Sequence, residues 1–311
     1  MTLLRVWVQG TSRAIRPDVM RSYPLGLAQL DCSSREVATN IATTVEASEV
    51  AANAGASLVV LPELAASGYR LERQTLLASA ESVHSRGPVL SAWSEQARQH
   101  HVAVVGGFAE MANGELFNAA AVIAPDGTII GTYQKLHLFR DERNVFTAGS
   151  RGLPIFEVGD VRLGVALCYD LRFPEVLRVL ALRGADVVAV PTAWVSGFDV
   201  NVPGPTESIG QVDGVYVQAK LNATFVACAD QVGTTPPHTF LGRSICVDPF
   251  GRSLLGPLDA NAPGTFVVEV DLDQVRAARE RGPGMSPLSD RRCDVYGELL
   301  GYDAPSWPSD P

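Results

Sequence analysis

Long apolar runs are missing from this sequence: no stretch approaches the roughly 20 uninterrupted apolar residues that a membrane helix needs. The opening segment, MTLLRVWVQGTSRAIRPD, has neither a proper apolar core nor a cleavage pattern of a secretory signal. A cytoplasmic protein with no membrane partner is therefore expected. Cysteines are few, five in 311 residues, and none forms a C-x-x-C pair. That count and spacing argue against a disulfide framework and against a zinc site, so no metal is expected. Cys228 and Cys246 sit in apolar surroundings and read as small buried hydrophobes. Positive charge is also short, with 25 Lys and Arg against 34 Asp and Glu. Without a basic run or a basic–aromatic stripe, nucleic acid is not an expected partner. Internal repeats, low-complexity segments and domain-splitting linkers are absent too, so one large domain is the default.

What is present is a hydrophobic content of 46%, ample for a sizeable core, arranged as alternating strand-like and helix-like segments. A strand is expected over residues 25–30. Ser33 and Glu36 have capping-box spacing before a helix that carries Val37, Ile41 and Val45 on one face and ends near Gly55. The run Leu58-Val-Val-Leu61 reads as a strand buried on both faces. Further on, a helix over residues 88–100 precedes a strand over 102–106, and hairpins turn at Pro125-Asp-Gly127, Gly159-Asp160 and Asp248-Pro-Phe-Gly251. Helices over 174–183 and 207–221 and strands over 187–190 and 225–229 complete the pattern. Crossover units and hairpins together predict an α/β fold of mixed sheets covered by helices. Residues 1–24 read as an N-terminal extension and 299–311 as a tail, around a domain spanning 25–298.

Three polar residues share one placement. Glu63 follows LVVLP, Lys135 follows TIIGTYQ and Cys168 follows VRLGVAL, each at the end of an apolar strand. Strand ends are where a rigid scaffold meets loops and solvent, and catalytic groups gather there. A thiol needs a neighbour that takes its proton or holds the thiolate, and an oxyanion intermediate needs positioned donors. Glu63 suits the first need; Lys135 and the backbone N–H after Cys168 suit the second. Each residue also has a plainer reading: a salt-bridge carboxylate, a solvated lysine, a buried thiol. A Cys–His pair is a further alternative, with His137 and His238 in loop-like surroundings.

Three motifs in order, LVVLPELAASGY, TYQKLHLF and GVALCYDLRFPE, resemble the nitrilase superfamily of carbon–nitrogen hydrolases. GRSICVDPFG and SDRRCDVYGEL resemble its late hairpin and tail. The resemblance implies a four-layer α-β-β-α sandwich of two mixed sheets in which Glu63, Lys135 and Cys168 are catalytic. Its second glutamate falls on Glu142 in DERNVFTAG. The implied reaction cleaves a non-peptide C–N bond through a Cys168 thioester, releases ammonia and a carboxylic acid, and needs no cofactor. A homodimer or higher homo-oligomer is implied as well.

CYDLRFPE is similar to the amidase branch, which includes omega-amidases and deaminated-glutathione amidases, rather than to the Cys-Trp-Glu of nitrile-cleaving members. A small amide is the expected substrate, with a carbamoyl compound as the alternative, then a nitrile, then a non-catalytic scaffold on the same fold. Tyr169 and Arg172 are the candidate substrate-binding residues. The Arg172 guanidinium suits a substrate carboxylate, and equally an ion pair with Asp170 or Glu175. Gln218-Ala-Lys-Leu221-Asn222 lacks a charged pair that many relatives carry, and the Gly- and Pro-rich segment 195–210 could shape access.

Overall fold

In the computed structural model, residues 21–197 and 209–299 are described. Residues 1–20 of the expected extension, 198–208 of the Gly- and Pro-rich segment and 300–311 of the expected tail lie outside them. The first half of the chain runs β1 (Ser22–Gln29), α1 (Val37–Asn53), β2 (Leu58–Val60), α2 (Arg73–Ser79), α3 (Pro88–His100), β3 (Ala103–Ala112), β4 (Glu115–Ile123) and β5 (Ile129–Gln134). The second half runs β6 (Ile155–Val158), β7 (Val161–Val165), α4 (Pro174–Leu182), β8 (Val187–Pro191), α5 (Gly210–Asn222) and β9 (Phe225–Ala229). It continues through a small hairpin, β10 (Thr234–Thr235) and β11 (His238–Thr239), to β12 (Ile245–Val247) and β13 (Ser253–Leu255). Last come β14 (Gly264–Asp271), α6 (Asp273–Arg279) and α7 (Cys293–Leu299).

Two six-stranded mixed sheets result, in the orders β14-β1-β2-β3-β4-β5 and β13-β12-β9-β8-β7-β6. Each has three parallel strands at its centre, β1-β2-β3 and β7-β8-β9, flanked by antiparallel ones. The two sheets thus share one strand arrangement, although β14 reaches the first sheet from the far end of the chain and the sequence shows no repeat. Side chains alternate along the strands as the pleat requires. Leu25, Leu27, Leu58, Val60 and Val105 enter the core shared with the second sheet, while Ala28, Val59, Leu61 and Val104 pack under α1 and α3. Helices α4 and α5 cover the second sheet, which completes the α-β-β-α layering.

Most expected elements are present, and the differences have causes. The first strand begins at Ser22 because β14 pairs with it from Ser22↔Asp271 onward. Helix α1 starts at Val37 with Glu36 in the N-cap position and no side-chain cap, so the Ser33 capping box does not form. Its fully buried residues are Asn40, Thr44, Ala47, Ser48 and Ala51, while Val37, Ile41 and Val45 are half-buried, with Ile41 packed against the core. Polar groups can turn inward there because they are satisfied: the Trp93 indole N–H donates to Thr44 Oγ1 at 2.9 Å and Asn40 Nδ2 to the Ala66 carbonyl at 3.1 Å. Cys32, Cys228 and Cys246 are buried and free.

Candidate active site

Glu63 stands just past β2, where the chain leaves the first sheet. The turn Pro62-Glu63-Leu64 lies against β3 at Gly107, whose N–H donates to the Pro62 carbonyl at 3.1 Å. A Cβ on Gly107 would fall 2.5 Å from Glu63 Cα, so only glycine permits this approach. Lys135 follows β5. Its N–H donates to the Asn118 carbonyl at 2.9 Å and its carbonyl accepts the Gly149 N–H at 2.8 Å, which fixes its Cα on the sheet edge.

The three charged side chains meet in a sealed cluster. Lys135 Nζ donates to Glu63 Oε1 at 2.6 Å and to Glu142 Oε1 at 2.8 Å, with all three side chains inaccessible. Asn118 Nδ2 donates to Glu63 Oε1 at 2.8 Å, and the Tyr69 hydroxyl to Glu142 Oε1 at 2.6 Å. Burial alone would disfavour the lysine's charge, yet the two carboxylates hold its pKa above the usual lysine value. Burial also raises the Glu63 pKa; the Lys135 ammonium opposes that rise and the Glu142 charge adds to it. Glu63 Oε2 is buried with no hydrogen-bond partner. One carboxylate oxygen is thereby held by donors while the other is open to accept a proton. Lys135 has used two of its three ammonium protons on carboxylates, which leaves one for a further acceptor.

Cys168 begins a 3-10 turn, Cys168–Arg172, straight after β7. Its φ is +43°, the left-handed region that costs a non-glycine residue about 1–3 kcal/mol. Asp170 holds that strain in place. Its buried carboxylate accepts the Leu167 N–H at 3.0 Å, the Tyr133 hydroxyl at 2.7 Å and the His137 N–H at 3.1 Å, and lies 2.8 Å from His137 Nδ1. His137 also stacks on Phe173 at 3.6 Å. His137 therefore orients the turn and is not paired with the thiol as the Cys–His alternative requires. Burial of the Cys168 thiol, together with the Glu63 charge, raises its pKa, so the resting group is a thiol; Lys135 and the Ala193 N–H favour the thiolate.

Outside the sulfur lies a pocket of about 60 Å³ whose walls include Phe139, Tyr169, Leu171, Arg172, Trp194 and Gly214. That is room for roughly four to six waters, the scale of a small ligand. Tyr169 packs between Phe139 and Phe173. Arg172 is exposed at the rim. Gln218 on α5 donates to the Leu171 carbonyl at 3.3 Å, while Leu221 faces outward. Phe139 also walls a second cavity of about 200 Å³ beside Tyr69, Arg140 and His238. Among the described residues no group of three or more His, Cys, Asp or Glu is placed to hold a metal.

The four residues singled out by the motifs thus converge, and Tyr169 and Arg172 line the adjoining pocket. Sequence reading missed Tyr69, Asn118 and Asp170 as partners. Tyr69 and Asp170 lie inside the quoted motifs, and Asn118 is a lone amide in the apolar run LFNAAAVI; those were the available signals.

Fold and site together define a thiol-bearing enzyme class built on an α-β-β-α sandwich. The chain belongs to the carbon-nitrogen hydrolase family, which it matches over residues 25–280. It is 35% identical over 274 residues to an (R)-stereoselective amidase from a Pseudomonas species, covering 88% of this chain and 92% of the relative. A 2-oxoglutaramate amidase from Bacillus subtilis is 30% identical over 246 residues, 78% of this chain and 87% of the relative. Among solved structures, a Cys-to-Ala variant of an amidase from Nesterenkonia sp. AN1 in complex with butyramide superposes with a TM-score of 0.74. It is 26% identical, covering 89% of this chain and 97% of that one. No described helix is long and apolar enough to cross a membrane.

Proposed function

We propose that the enzyme hydrolyses a small primary amide through a thioester on Cys168. The observation that carries this reading is the unpartnered Glu63 Oε2 in a sealed cluster beside the thiol. Glu63 Oε2 takes the Cys168 proton, and the thiolate attacks the amide carbon. The oxyanion is met by the remaining Lys135 ammonium proton and by the Tyr169 N–H. Collapse of the tetrahedral intermediate breaks the C–N bond, and the leaving nitrogen takes the proton from Glu63 and departs as ammonia. Glu63 then draws a proton from water, whose oxygen attacks the thioester; the C–S bond breaks, the carboxylic acid leaves, and Glu63 returns the proton to the Cys168 sulfur. Glu142 keeps Lys135 charged and aimed.

The Pseudomonas and Bacillus relatives named as amidases support an amide over a nitrile. A carbamoyl substrate is the second reading, favoured by Arg172 at the pocket rim and by 28% identity to an N-carbamoylputrescine amidase from Solanum tuberosum. We take residues 22–298 as the hydrolase domain, because β1 begins at Ser22 and not at the expected residue 25, with the residues before it as an extension and 299–311 as a tail. The proposed setting is the cytoplasm, where Cys168 and the buried free thiols stay reduced. The proposed state is a homo-oligomer, supported by Val217 and Leu221, which are 55% and 54% exposed on α5. Light scattering that gives a 33.1 kDa particle at micromolar concentration would contradict it.

Ammonia release from a panel of primary amides, carbamoyl amino acids and nitriles tests the reaction, with Cys168→Ala as control. Release from amides, abolished in the variant, is expected. Release from nitriles alone would overturn the reading.

A further inference from the structure

Residues 230–232 join the two sheets beside the site. Leu30, just past β1, bridges to Gln231; its N–H donates to the Asp230 carbonyl at 3.3 Å and its carbonyl accepts the Val232 N–H at 2.9 Å. The Asp230 side chain turns to the segment after β8. Its Oδ1 accepts the Thr192 hydroxyl at 2.9 Å and the Trp194 N–H at 2.8 Å, clasping Thr192-Ala193-Trp194 at both ends. Ala193, between them, lines the same pocket as Cys168, and its N–H favours the thiolate. The same tripeptide holds Glu63, whose N–H donates to the Thr192 carbonyl at 3.3 Å. Gln231 Nε2 takes the other side of that residue, donating to the Glu63 carbonyl at 2.7 Å.

We infer that Asp230 and Gln231 are positioning residues that set the distance between the Glu63 carboxylate and the Cys168 sulfur. The inference rests on the proposed roles of those two groups. Glu63 comes from the first sheet and Cys168 from the second, so packing of the sheets alone leaves their spacing free to drift. Two adjacent side chains tie both to one backbone segment. Each does so while leaving a buried oxygen, Asp230 Oδ2 and Gln231 Oε1, without a hydrogen-bond partner. Burial raises the Asp230 pKa to about 7, against the pull of the Trp194 N–H and the Thr192 hydroxyl. Both donors meet Oδ1, and an asparagine presents the same carbonyl oxygen, so an amide can replace the carboxyl.

The test compares Asp230→Ala, Asp230→Asn and Gln231→Met in the full chain. Two rates are read: ammonia release from butyramide, and alkylation of Cys168 by iodoacetamide followed by peptide mass, which needs no amide turnover. Because a misplacement of about 1 Å costs on the order of 100-fold, Asp230→Ala and Gln231→Met are expected to lose about 10- to 100-fold in kcat with little change in KM. Cys168 alkylation is expected to slow in parallel, and Asp230→Asn to restore most of both rates. Gln231→Met keeps the length and apolar packing of the side chain, so it carries the test if Asp230→Ala does not fold. A fall in melting temperature with alkylation unchanged would assign the pair to the framework and overturn the inference, as would Asp230→Asn behaving like Asp230→Ala. Absence of butyramide turnover in the parent protein would count against the proposed substrate class, while the alkylation rates still decide the positioning role.

Discussion

In the 3-10 turn Arg140–Asn144, Glu142 reaches back to accept the Phe139 N–H at 2.8 Å and takes a hydroxyl from Tyr69. In the turn Cys168–Arg172, Asp170 reaches back to accept the Leu167 N–H at 3.0 Å and takes a hydroxyl from Tyr133. Both turns open on a left-handed residue, Arg140 at φ +45° and Cys168 at +43°. The local device is the same: an acid at the third position of the turn staples its own entry and is locked by a tyrosine. The difference lies in what else each acid meets. Glu142 faces the Lys135 ammonium, so its charge belongs to the buried cluster with Glu63. Asp170 faces His137 at the base of the nucleophile's turn, so its charge holds geometry. One structural solution thus serves electrostatics in one place and aim in the other.

The largest effect is expected from removing the cation that makes the first turn different. Lys135→Ala leaves two carboxylates buried together, and breaking a buried ion pair in this way costs about 3–5 kcal/mol. Urea unfolding is expected to show that loss together with abolished turnover; an unchanged midpoint would mean the cluster is not closed to water. Next come the two acids themselves. Glu142→Gln is expected to lower kcat by about 100-fold through its effect on a transition-state donor. It also removes a charge that raises the Glu63 pKa, so the acid limb of kcat/KM moves to lower pH. Asp170→Asn is expected to cost about 1–3 kcal/mol of stability and to leave that limb where it is. Identical pH profiles for the two variants would erase the distinction between the turns.

A comparable effect on stability is expected for the tyrosines. Tyr69→Phe and Tyr133→Phe each delete one hydrogen bond to a charged group, worth about 1.5–3 kcal/mol, so melting temperatures fall alike. Only Tyr69→Phe is expected to reduce kcat, and equal loss in both would contradict the assignment. The smallest effect is at the pocket rim. Arg172→Lys is expected to raise KM for amides that carry a carboxylate and to spare neutral ones, since the lysine lacks the planar fork. An unchanged KM for both classes would remove Arg172 from substrate binding.

Glu63, Lys135 and Cys168 were legible in the sequence because each follows an apolar strand inside a motif of local neighbours, and Glu142 through the family motif alone. Glu63, Lys135, Glu142 and Cys168 all converge in the fold. What supports them was harder to read. Gln231 meets Glu63 across 168 positions, and Tyr133 meets Asp170 across 37, contacts that depend on sheet order and not on spacing. The inward face of α1 escaped for a related reason. Its polar residues are buried because Trp93 and the loop after Glu63 supply partners, and no hydrophobic period announces that. The strand arrangement shared by the two sheets left no repeat in the sequence, since different packing partners need different side chains.

The most direct measurement is the intact mass of the enzyme quenched shortly after mixing with a primary amide, for parent protein and Glu63→Gln. An adduct of the acyl group's mass on Cys168 in the parent, absent from Cys168→Ala, is the expected result, with its formation at least about 100-fold slower in Glu63→Gln. Ammonia release at the parent rate by Cys168→Ala, with no adduct in either protein, would contradict a thioester at this cysteine.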